Sequence, residues 1–384
     1  MTSFAKSSRL PVYVNHVYLK IRKIIGIIAW LISITRIPNK SNNKDRRMLM
    51  IYDLSSQPFN IGDFIMLQEV SLAQCKRFNL MLADIAIVYE PKHPALAIPE
   101  FSWITEDNVL YHLASILPVA QINQNLGSLF IFNSHLQLER YITENAVTYQ
   151  IWPPPLQYIS KEYFYYRALN DVLYDYFKDY GNIPHLRCRQ FLVEWASEFY
   201  RNNLCSCIPI TVNLRNNKLF GTHRNSIMDC WLNFFKYCSG RYPVKFIIIC
   251  ALPEIDERMR HLDNVIIAKD FHTGIEQDLA LISTSAIHMG ASSGPFSMAW
   301  FGDRPYLMFN WDADPKNYKC LIEDNGFYRF IFSAPFQRMT KEPETTELLI
   351  KEFATIWGSI DHSKYKINGY SASNNQKKTL TWLR

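Results

Sequence analysis

The sequence predicts an α/β protein built from two doubly wound halves that face each other across a cleft. Three observations support this fold class. Short apolar strands alternate with helical stretches from Met48 onward, the alternation stops at the proline-rich segment 152–155, and a second alternating unit begins at Ile208. Strands that alternate with helices are typical of a mainly parallel sheet covered by helices on both faces.

The first half is expected over residues 48–155. Its predicted strands, each a short apolar run, are Met48–Asp53, Asp84–Tyr89, Ser128–Phe132 and Val147–Trp152. Helical patterns fill the connections at about 64–78 and 135–145. The run Trp152-Pro153-Pro154-Pro155 interrupts this rhythm, so the sequence predicts a domain boundary there.

The second half is expected over residues 206–340, after a helical linker region at 156–205 and before a C-terminal helix and tail at 341–384. Its predicted strands are Ile208–Leu214, Val244–Cys250, Val265–Ala268, Ala286–Met289 and Tyr306–Phe309. Four helices are predicted: one that ends near Cys238, one at Ile275–Ile282, one that begins at Pro295 and one at Glu342–Gly358. Doubly wound sheets bind their ligands at the carboxyl ends of the strands. We therefore expect functional residues in the loops that follow the strands.

Composition and charge narrow the class of partner. The 384-residue chain is 48% hydrophobic and carries a net charge of +6. This mild basic excess suits anionic partners such as nucleotide phosphates, but it is too weak to predict a nucleic-acid partner. The eight cysteines lack the paired spacing of a metal site. In a chain this long and apolar they are expected to be buried or incidental thiols of a reducing compartment, which indicates a cytoplasmic protein.

Residues 1–47 differ from the rest of the chain. The apolar run Ile24–Ile34 is flanked by basic residues and is shorter than the roughly 20 residues that a membrane span needs. One interpretation is an amphipathic helical extension that lies, through residues 17–36, on the anionic inner face of a membrane. The other is a helix that packs on the domain behind it. The sequence leaves both interpretations open.

The first candidate site follows the first strand of the first half, at Asn60-Ile61-Gly62-Asp63. Gly62 permits a close approach of the backbone, and Asp63 is expected to start a helix that faces the cleft. A carboxylate in this place could act as general base on an acceptor hydroxyl. Taken alone, the local sequence fits better a helix N-cap, in which the Asp63 side chain satisfies the first N–H groups.

The second candidate site is the loop that follows Leu214. Arg215 comes directly after an apolar strand, and Arg224 and Asn225 precede the next helix. Guanidinium groups bind phosphate bidentately and stay charged in a dry site, so two arginines at one strand end could hold a diphosphate. The alternative is that both arginines form ion pairs at the surface. The position of Arg215 after a buried strand favours phosphate binding.

The third candidate site is the small-residue turn Gly290–Gly294, which links a strand to the helix predicted to begin at Pro295. Small residues let a ligand approach the backbone, and the N–H groups of a helix start suit a phosphate. Ser292, Ser293 and Gly294 are the residues expected to contact it. The alternative is a tight turn in which a serine only caps the helix.

These motifs carry a resemblance to a known family. Over about residues 48–340 the sequence resembles GT-B fold glycosyltransferases, chiefly the bacterial heptosyltransferase-like enzymes and in part the fucosyltransferase-like group. The residues that carry it are Gly62-Asp63, Val212-Asn213-Leu214-Arg215, His223-Arg224-Asn225, Met289–Pro295, Ala299 and Gly302-Asp303-Arg304-Pro305. Two positions depart from the family pattern. Ala291-Ser292 replaces an expected acidic residue, and Ser297 or Met298 stands where a histidine is expected.

The resemblance implies two Rossmann-like domains and an enzyme that transfers a sugar from a nucleotide diphosphate donor to a glycan or lipid-linked acceptor, as in polysaccharide biosynthesis. Asp63 would be the catalytic base, with Asn60 and Gly62 on the acceptor side. The donor would be bound by Arg215, Arg224, Asn225, Ser292, Ser293 and Gly294. The expected reaction is inverting and uses neither a metal nor another cofactor.

Other functions stay open at this point. The same fold supports nucleotide-sugar 2-epimerases, which need no acceptor, and a non-catalytic, membrane-associated binding protein would bind no nucleotide. An Asp-x-Asp motif holds a divalent metal in another glycosyltransferase fold. Asp312-Ala313-Asp314 has that spacing, but no other part of the pattern supports that fold, and we interpret it as a loop.

Overall fold

The computed structural model describes residues 46–55, 59–90, 103–154, 168–218 and 221–365. Within them the chain forms two sheets, one in each of the two predicted halves. The expected N-terminal extension lies outside the described residues up to residue 45, and with it the membrane-surface helix expected at 17–36. No helix in the described part of the chain is both long enough and apolar enough to cross a membrane.

The first sheet has four parallel strands, all of them predicted. They are β1 (Arg47–Asp53), β2 (Ala83–Val88), β3 (Leu126–Phe132) and β4 (Tyr149–Trp152), in the order β3-β2-β1-β4. Its helices are α1 (Ile61–Arg77), α2 (Val109–Ile116), continued by a 3-10 turn at Leu117–Ile122, and α3 (His135–Glu144). β1 pairs with both β2 and β4, so the chain changes its direction across the sheet beside β1.

The second sheet has eight strands, in the order β10-β11-β12-β9-β8-β5-β6-β7. They are β5 (Ile208–Asn213), β6 (Val244–Ile249), β7 (Val265–Ile267), β8 (Ile287–Ala291), β9 (Tyr306–Phe309), β10 (Leu321–Asp324), β11 (Phe327–Phe330) and β12 (Gln337–Thr340). β5 to β9 match the predicted strands and are parallel, while β10 and β11 pair in antiparallel fashion. The chain changes direction between β5 and β8, and such a switch point is a common ligand site.

The helices after the first sheet are mostly those expected. They are a π-helical segment at Ala168–Leu173, α4 (Tyr174–Tyr180), α5 (Gln190–Asn203), α6 (Met228–Cys238), α7 (Ile275–Thr284), α8 (Ser297–Trp300) and α9 (Thr346–Trp357). Short 3-10 turns lie at Thr222–Arg224, Leu252–Glu254, Glu257–His261, Ala268–Phe271, Gly294–Phe296, Pro315–Asn317 and His362–Tyr365. The helix expected from Pro295 is therefore a 3-10 turn followed by the four-residue α8.

Helix α1 lies between the two halves and is buried on all sides from Gly62 to Cys75. One continuous apolar core joins it to β1, to α7 and to α8 of the second half. Five of the fifteen residues in IGDFIMLQEVSLAQC are nevertheless polar, so the burial of this helix on both sides does not follow from an apolar pattern alone. A second core lies on the other face of the large sheet, where α6 and α9 cover β5 and β6. This packing fixes the start of α1 against the second half.

Candidate active site

A cleft of about 1010 Å³ lies between the two halves, beside the segments that follow β1, β5, β6 and β8. This volume is near the upper end of small-molecule sites, which measure about 300–1,000 Å³. Eight of the nine predicted site residues line it: Asn60, Gly62, Asp63, Arg215, Arg224, Ser292, Ser293 and Gly294. The structure therefore brings together three segments that lie far apart in the sequence.

The start of α1 forms the first-half side of the cleft. The N-cap of this helix is Asn60, whose Oδ1 accepts a hydrogen bond from the Asp63 backbone N–H at 2.7 Å. Asp63 is the third residue of the helix, and its Oδ2 accepts a second hydrogen bond, from Asn60 Nδ2, at 2.5 Å. The interpretation of Asp63 as the N-cap is therefore wrong. Its carboxylate lies instead in the first helical turn, where the helix dipole favours a negative charge.

Asp63 has the properties of a general base. Its side chain lines the cleft, yet the residue is only 5% exposed. Burial raises the pKa of its carboxyl to about 7, and the hydrogen bond from Asn60 opposes part of that rise. Tyr52 of β1 is fully buried and close enough to Asp63 that burial and this carboxylate together raise the pKa of its hydroxyl. A carboxylate with a pKa near neutrality can both accept and release a proton at physiological pH.

Gly62 and Gly294 bring the two halves into contact at the floor of the cleft. A Cβ on Gly62 would lie 2.9 Å from Ser297 Oγ and 3.3 Å from Gly294 Cα. A Cβ on Gly294 would lie 3.1 Å from the Gly62 backbone nitrogen and 3.1 Å from Ile61 Cβ. Side chains at these positions would separate the start of α1 from the turn at Gly294. The two glycines thus set the distance between Asp63 and the second half.

The turn at residues 290–294 is shaped by its contact with β5. Gly290 has a φ of +148°, and a Cβ there would overlap the backbone carbonyl of Asn213. Ser293 precedes the 3-10 turn, but its hydroxyl donates to Asn213 Oδ1 rather than capping the backbone. The four-residue α8 is too short to carry the dipole of a full helix, so the dipole argument for phosphate binding is weakened. The features of this turn that still favour phosphate binding are its small residues and its serine hydroxyls at the cleft.

Arg215 and Arg224 lie side by side on the second-half wall of the cleft. Gly221, at φ +59°, sits between them, and a Cβ there would lie 2.6 Å from Arg224 Nη2 and 3.0 Å from Arg215 Nη2. The Arg215 Nε donates to the Gly221 carbonyl at 3.4 Å. Burial first, and the Arg224 charge second, lower the pKa of Arg215. Two neighbouring guanidinium groups are a site that an anion such as a diphosphate would stabilise.

Asp312 pairs with residues of the arginine loop. Its Oδ2 lies 2.9 Å from His223 Nε2 and 3.5 Å from Arg224 Nε. The next acidic residue, Asp314, caps the 3-10 turn at Pro315–Asn317 by accepting from the Lys316 N–H. The interpretation of this Asp-x-Asp segment as a loop fits these contacts. Within the described residues, no group of three His, Cys, Asp or Glu side chains could hold a metal ion.

Asn225 is the predicted donor-binding residue that the structure places outside the cleft wall. Its Oδ1 accepts from the Asn217 N–H at 2.9 Å, and its Nδ2 donates to the Asn217 carbonyl at 2.8 Å. Both ends of its amide therefore hold the arginine loop closed. A role in contacting the donor directly stays a prediction.

The cleft also has a wall that sequence reasoning missed, formed by the segments after β6 and β7. Its polar part centres on Lys269, whose Nζ donates to Asp278 Oδ2 and to the Thr273 carbonyl, both at 2.7 Å. Thr273 donates to the other oxygen of Asp278 at 2.6 Å. Glu254 holds the arginine loop through the Asn216 N–H at 3.1 Å. The strand-end rule that located Arg215 could have found these residues, had it been applied to β6 and β7 as well.

A charged cluster lies outside the cleft wall, at the carboxyl ends of β1, β2 and β3. His135 Nε2 is 2.8 Å from Asp53 Oδ2, and its Nδ1 is 2.6 Å from Glu90 Oε1. Burial disfavours a charge on His135, but the two carboxylates outweigh it and raise its pKa to about 9. The imidazolium therefore ties three neighbouring strand ends together.

No protein-family model matches this sequence, and no curated protein matches it. Among solved structures, a glycosyl transferase family 9 protein from Veillonella parvula has a similar fold. Its TM-score is 0.51, with 12% identity over 84% of this chain and 100% of that one. The fold is GT-B. Within it, the cleft described above is the space between the two Rossmann-like halves.

Two further solved structures show weaker similarity. The E. coli ADP-heptose lps heptosyltransferase II has a TM-score of 0.49 and 10% identity, over 82% of this chain and 99% of that one. The NodZ α-1,6-fucosyltransferase has a TM-score of 0.29 and 10% identity, over 71% of this chain and 97% of that one. At such identities similarity establishes a fold only, and the activity has to be argued from the site.

Proposed function

We propose that this protein is a glycosyltransferase that moves a sugar from a nucleotide diphosphate donor to a hydroxyl of a glycan or lipid-linked acceptor. The observation that carries the proposal is the meeting of Asp63 with the Gly294 turn in one cleft whose wall holds Arg215 and Arg224. A base and a cationic phosphate seat on opposite sides of one space are what direct transfer needs. The Veillonella parvula neighbour, described as a glycosyl transferase, supports the same reaction class.

The proposed step inverts the anomeric carbon. The acceptor oxygen attacks that carbon from the face opposite the diphosphate, and a new carbon–oxygen bond forms. The bond to the phosphate oxygen breaks, and the diphosphate leaves with the electron pair. Asp63 takes the proton of the acceptor hydroxyl and later releases it to solvent. Arg215 and Arg224, rather than a metal ion, neutralise the charge that develops on the leaving group.

The proposal divides the work between two domains. Residues 48–155 would present the base and bind the acceptor near Gly62, and residues 206–340 would bind the donor. Ser292 would contact the diphosphate with its hydroxyl, and Ser293 and Gly294 would contact it with their backbone N–H groups, since the Ser293 hydroxyl donates to Asn213. Such a division predicts that nucleotide binding depends on the second domain alone.

Nucleotide binding tests the donor side directly. A thermal-shift panel of GDP, UDP, ADP and CMP should show one ligand that raises the melting temperature, because a ligand of the native state stabilises it. Arg215→Ala should reduce that shift, because it weakens binding of the nucleotide. Arg258→Ala is the matched control, because Arg258 is an exposed arginine of the same half that pairs with Asp229 and Asp256. A panel without any shift contradicts the proposal, and sugar release from the donor without an acceptor would favour an epimerase.

The proposal extends to where the enzyme works. A basic, apolar segment at 17–36 would hold it on the cytoplasmic face of a membrane, close to lipid-linked acceptors of polysaccharide biosynthesis. Flotation with anionic liposomes should carry the full chain to the top of the gradient and leave a chain lacking residues 1–45 at the bottom. Equal flotation of the two chains would contradict this part of the proposal.

A further inference from the structure

The start of α1 contains a pair of hydrogen bonds that a helix cap alone does not require. Asn60 Oδ1 accepts from the Asp63 N–H at 2.7 Å, and Asn60 Nδ2 donates to Asp63 Oδ2 at 2.5 Å. We infer that Asn60 is a positioning residue for the base, which fixes the Asp63 carboxylate and favours its ionised form. This inference rests on the proposed function, since it assigns Asn60 to the base rather than to the acceptor.

The two bonds do different work. The bond to the backbone N–H is an ordinary N-cap contact, which Ser, Thr or Asp would make equally well. The bond to the carboxylate needs a donor on the same side chain, and among the favoured cap residues only Asn offers a carbonyl oxygen and an NH₂ group together. A donor to a carboxylate stabilises its charged form and therefore favours loss of the proton. Asn60 therefore does more than cap the helix, because its NH₂ group also orients the Asp63 carboxylate.

The surroundings make this bond important. Asp63 is 5% exposed, so water reaches the carboxylate poorly, and burial alone would keep it protonated. From the sheet of the first half, β1 brings Tyr52, whose hydroxyl, if ionised, would repel the negative charge of Asp63. From the facing half, the turn and helix at Gly294–Trp300 bring no charged residue. Among the described side chains, Asn60 is the donor that holds this carboxylate.

The geometry also leaves the other oxygen for chemistry. Asn60 donates to Oδ2 of Asp63, and Asp63 lines the cleft. The contact between Gly62 and Gly294 prevents the start of α1 from moving toward the second half. With the helix start fixed and Oδ2 held, Oδ1 is the oxygen that can take the proton of an acceptor hydroxyl. Losing the Asn60 donor should therefore affect proton transfer and leave donor binding unchanged.

The test is the pH dependence of kcat/KM in Asn60→Ser. Serine keeps the N-cap contact but has no second donor for the carboxylate. Because a hydrogen bond to a charged group is lost, the acidic limb of the profile should move up by roughly one to two pH units. The affinity for the nucleoside diphosphate that binds the wild type should not change. Thr345→Ala is the matched control, because Thr345 does not line the cleft and caps α9 by accepting from the Leu348 N–H.

A second measurement separates this inference from the proposed function. The pKa of Asp63 can be followed by carbon-13 NMR of labelled aspartate carboxyls, with Asp63→Asn to assign the signal, whether or not sugar is transferred. An upward shift in Asn60→Ser and none in Thr345→Ala is the expected result. An unchanged Asp63 titration or an unmoved acidic limb overturns the role of Asn60. Absence of transfer by the wild type would instead contradict the glycosyltransferase proposal, and the titration would still decide how Asn60 acts on Asp63.

Discussion

The two sides of the cleft are built in opposite ways. On the first-half side, one carboxylate sits at the start of a fully buried helix, held by a single amide and excluded from water. On the second-half side, two arginines sit on a loop held by ion pairs and loop hydrogen bonds around Asp312, Glu254 and Asn225. In the proposed mechanism the first side acts through desolvation of a carboxylate and the second through positive charge. We therefore expect the base side to respond to pH and the donor side to respond to salt.

Removal of the carboxylate should have the largest effect. Asp63→Asn keeps the size of the side chain but cannot accept a proton, and general bases contribute about 100- to 10,000-fold to rate. We expect kcat to fall by that factor, with nucleotide affinity changed less than twofold, because the donor binds on the other side. Steady-state kinetics and calorimetry on the same preparation measure both quantities. Full turnover by Asp63→Asn would show that another group takes the proton.

The donor side should respond more weakly and in another variable. Arg215→Ala should lower the affinity for the nucleoside diphosphate by about 10- to 100-fold, the effect of losing a charge-assisted hydrogen bond. Arg215→Lys should recover only part of that loss, since lysine keeps the charge but cannot bind phosphate bidentately. Titrations at two salt concentrations should show weaker binding at higher salt in the wild type. A salt-independent affinity would mean that the arginines do not act through their charge.

The contact between the two sides should respond to added volume. Gly294→Ala places a Cβ 3.1 Å from the Gly62 nitrogen, which is tighter than ordinary contact and has backbone on the other side. The free energy of unfolding should fall by roughly 1–3 kcal/mol, which lowers the melting temperature. The value of kcat should fall more than the affinity for the donor. Gly302→Ala is the matched control, because its nearest contacts would be at 3.8 Å and 3.9 Å. Equal behaviour of the two variants would show that the halves do not rely on this contact.

The elements that could be predicted from the sequence are those whose apolar pattern is local. β1, β5 and β8 are runs of buried residues with loops behind them, and their ends located the three candidate segments. β10, with the sequence LIED, and β12, with QRMT, could not be found this way. β10 is an edge strand with three exposed residues, and β12 is buried between β11 and β9 but has a largely polar sequence, so neither shows the apolar pattern of a strand.

The details of the site were less predictable because they depend on distant partners. Asp312 and His223 lie 89 positions apart, so no local pattern indicates that the acidic residue pairs with this loop. The identity of the N-cap of α1 depends on where the helix begins, and a start three residues earlier makes Asn60 rather than Asp63 the N-cap. The length of α8, four residues, could not be predicted, because a proline and small residues indicate a helix start but not its end.

The last prediction concerns stability rather than catalysis and tests the charge of His135, a titrating group of the first half that lies outside the cleft wall. The folded pKa of His135, about 9, lies above the unfolded value near 6.5, so the ion pairs with Asp53 and Glu90 add stability fully below about pH 6.5. That stability should be lost as the pH rises through about 9. Relative to wild type, His135→Gln should be less stable by about 1–3 kcal/mol at pH 6, and the difference should shrink by pH 10.

The control is His112→Gln, at a histidine of α2 that has no such ion pair in the described residues. Chemical denaturation at several pH values measures the difference. A difference in stability that does not depend on pH would contradict a charged His135. Because the cluster lies outside the cleft wall, kcat should stay unchanged in His135→Gln.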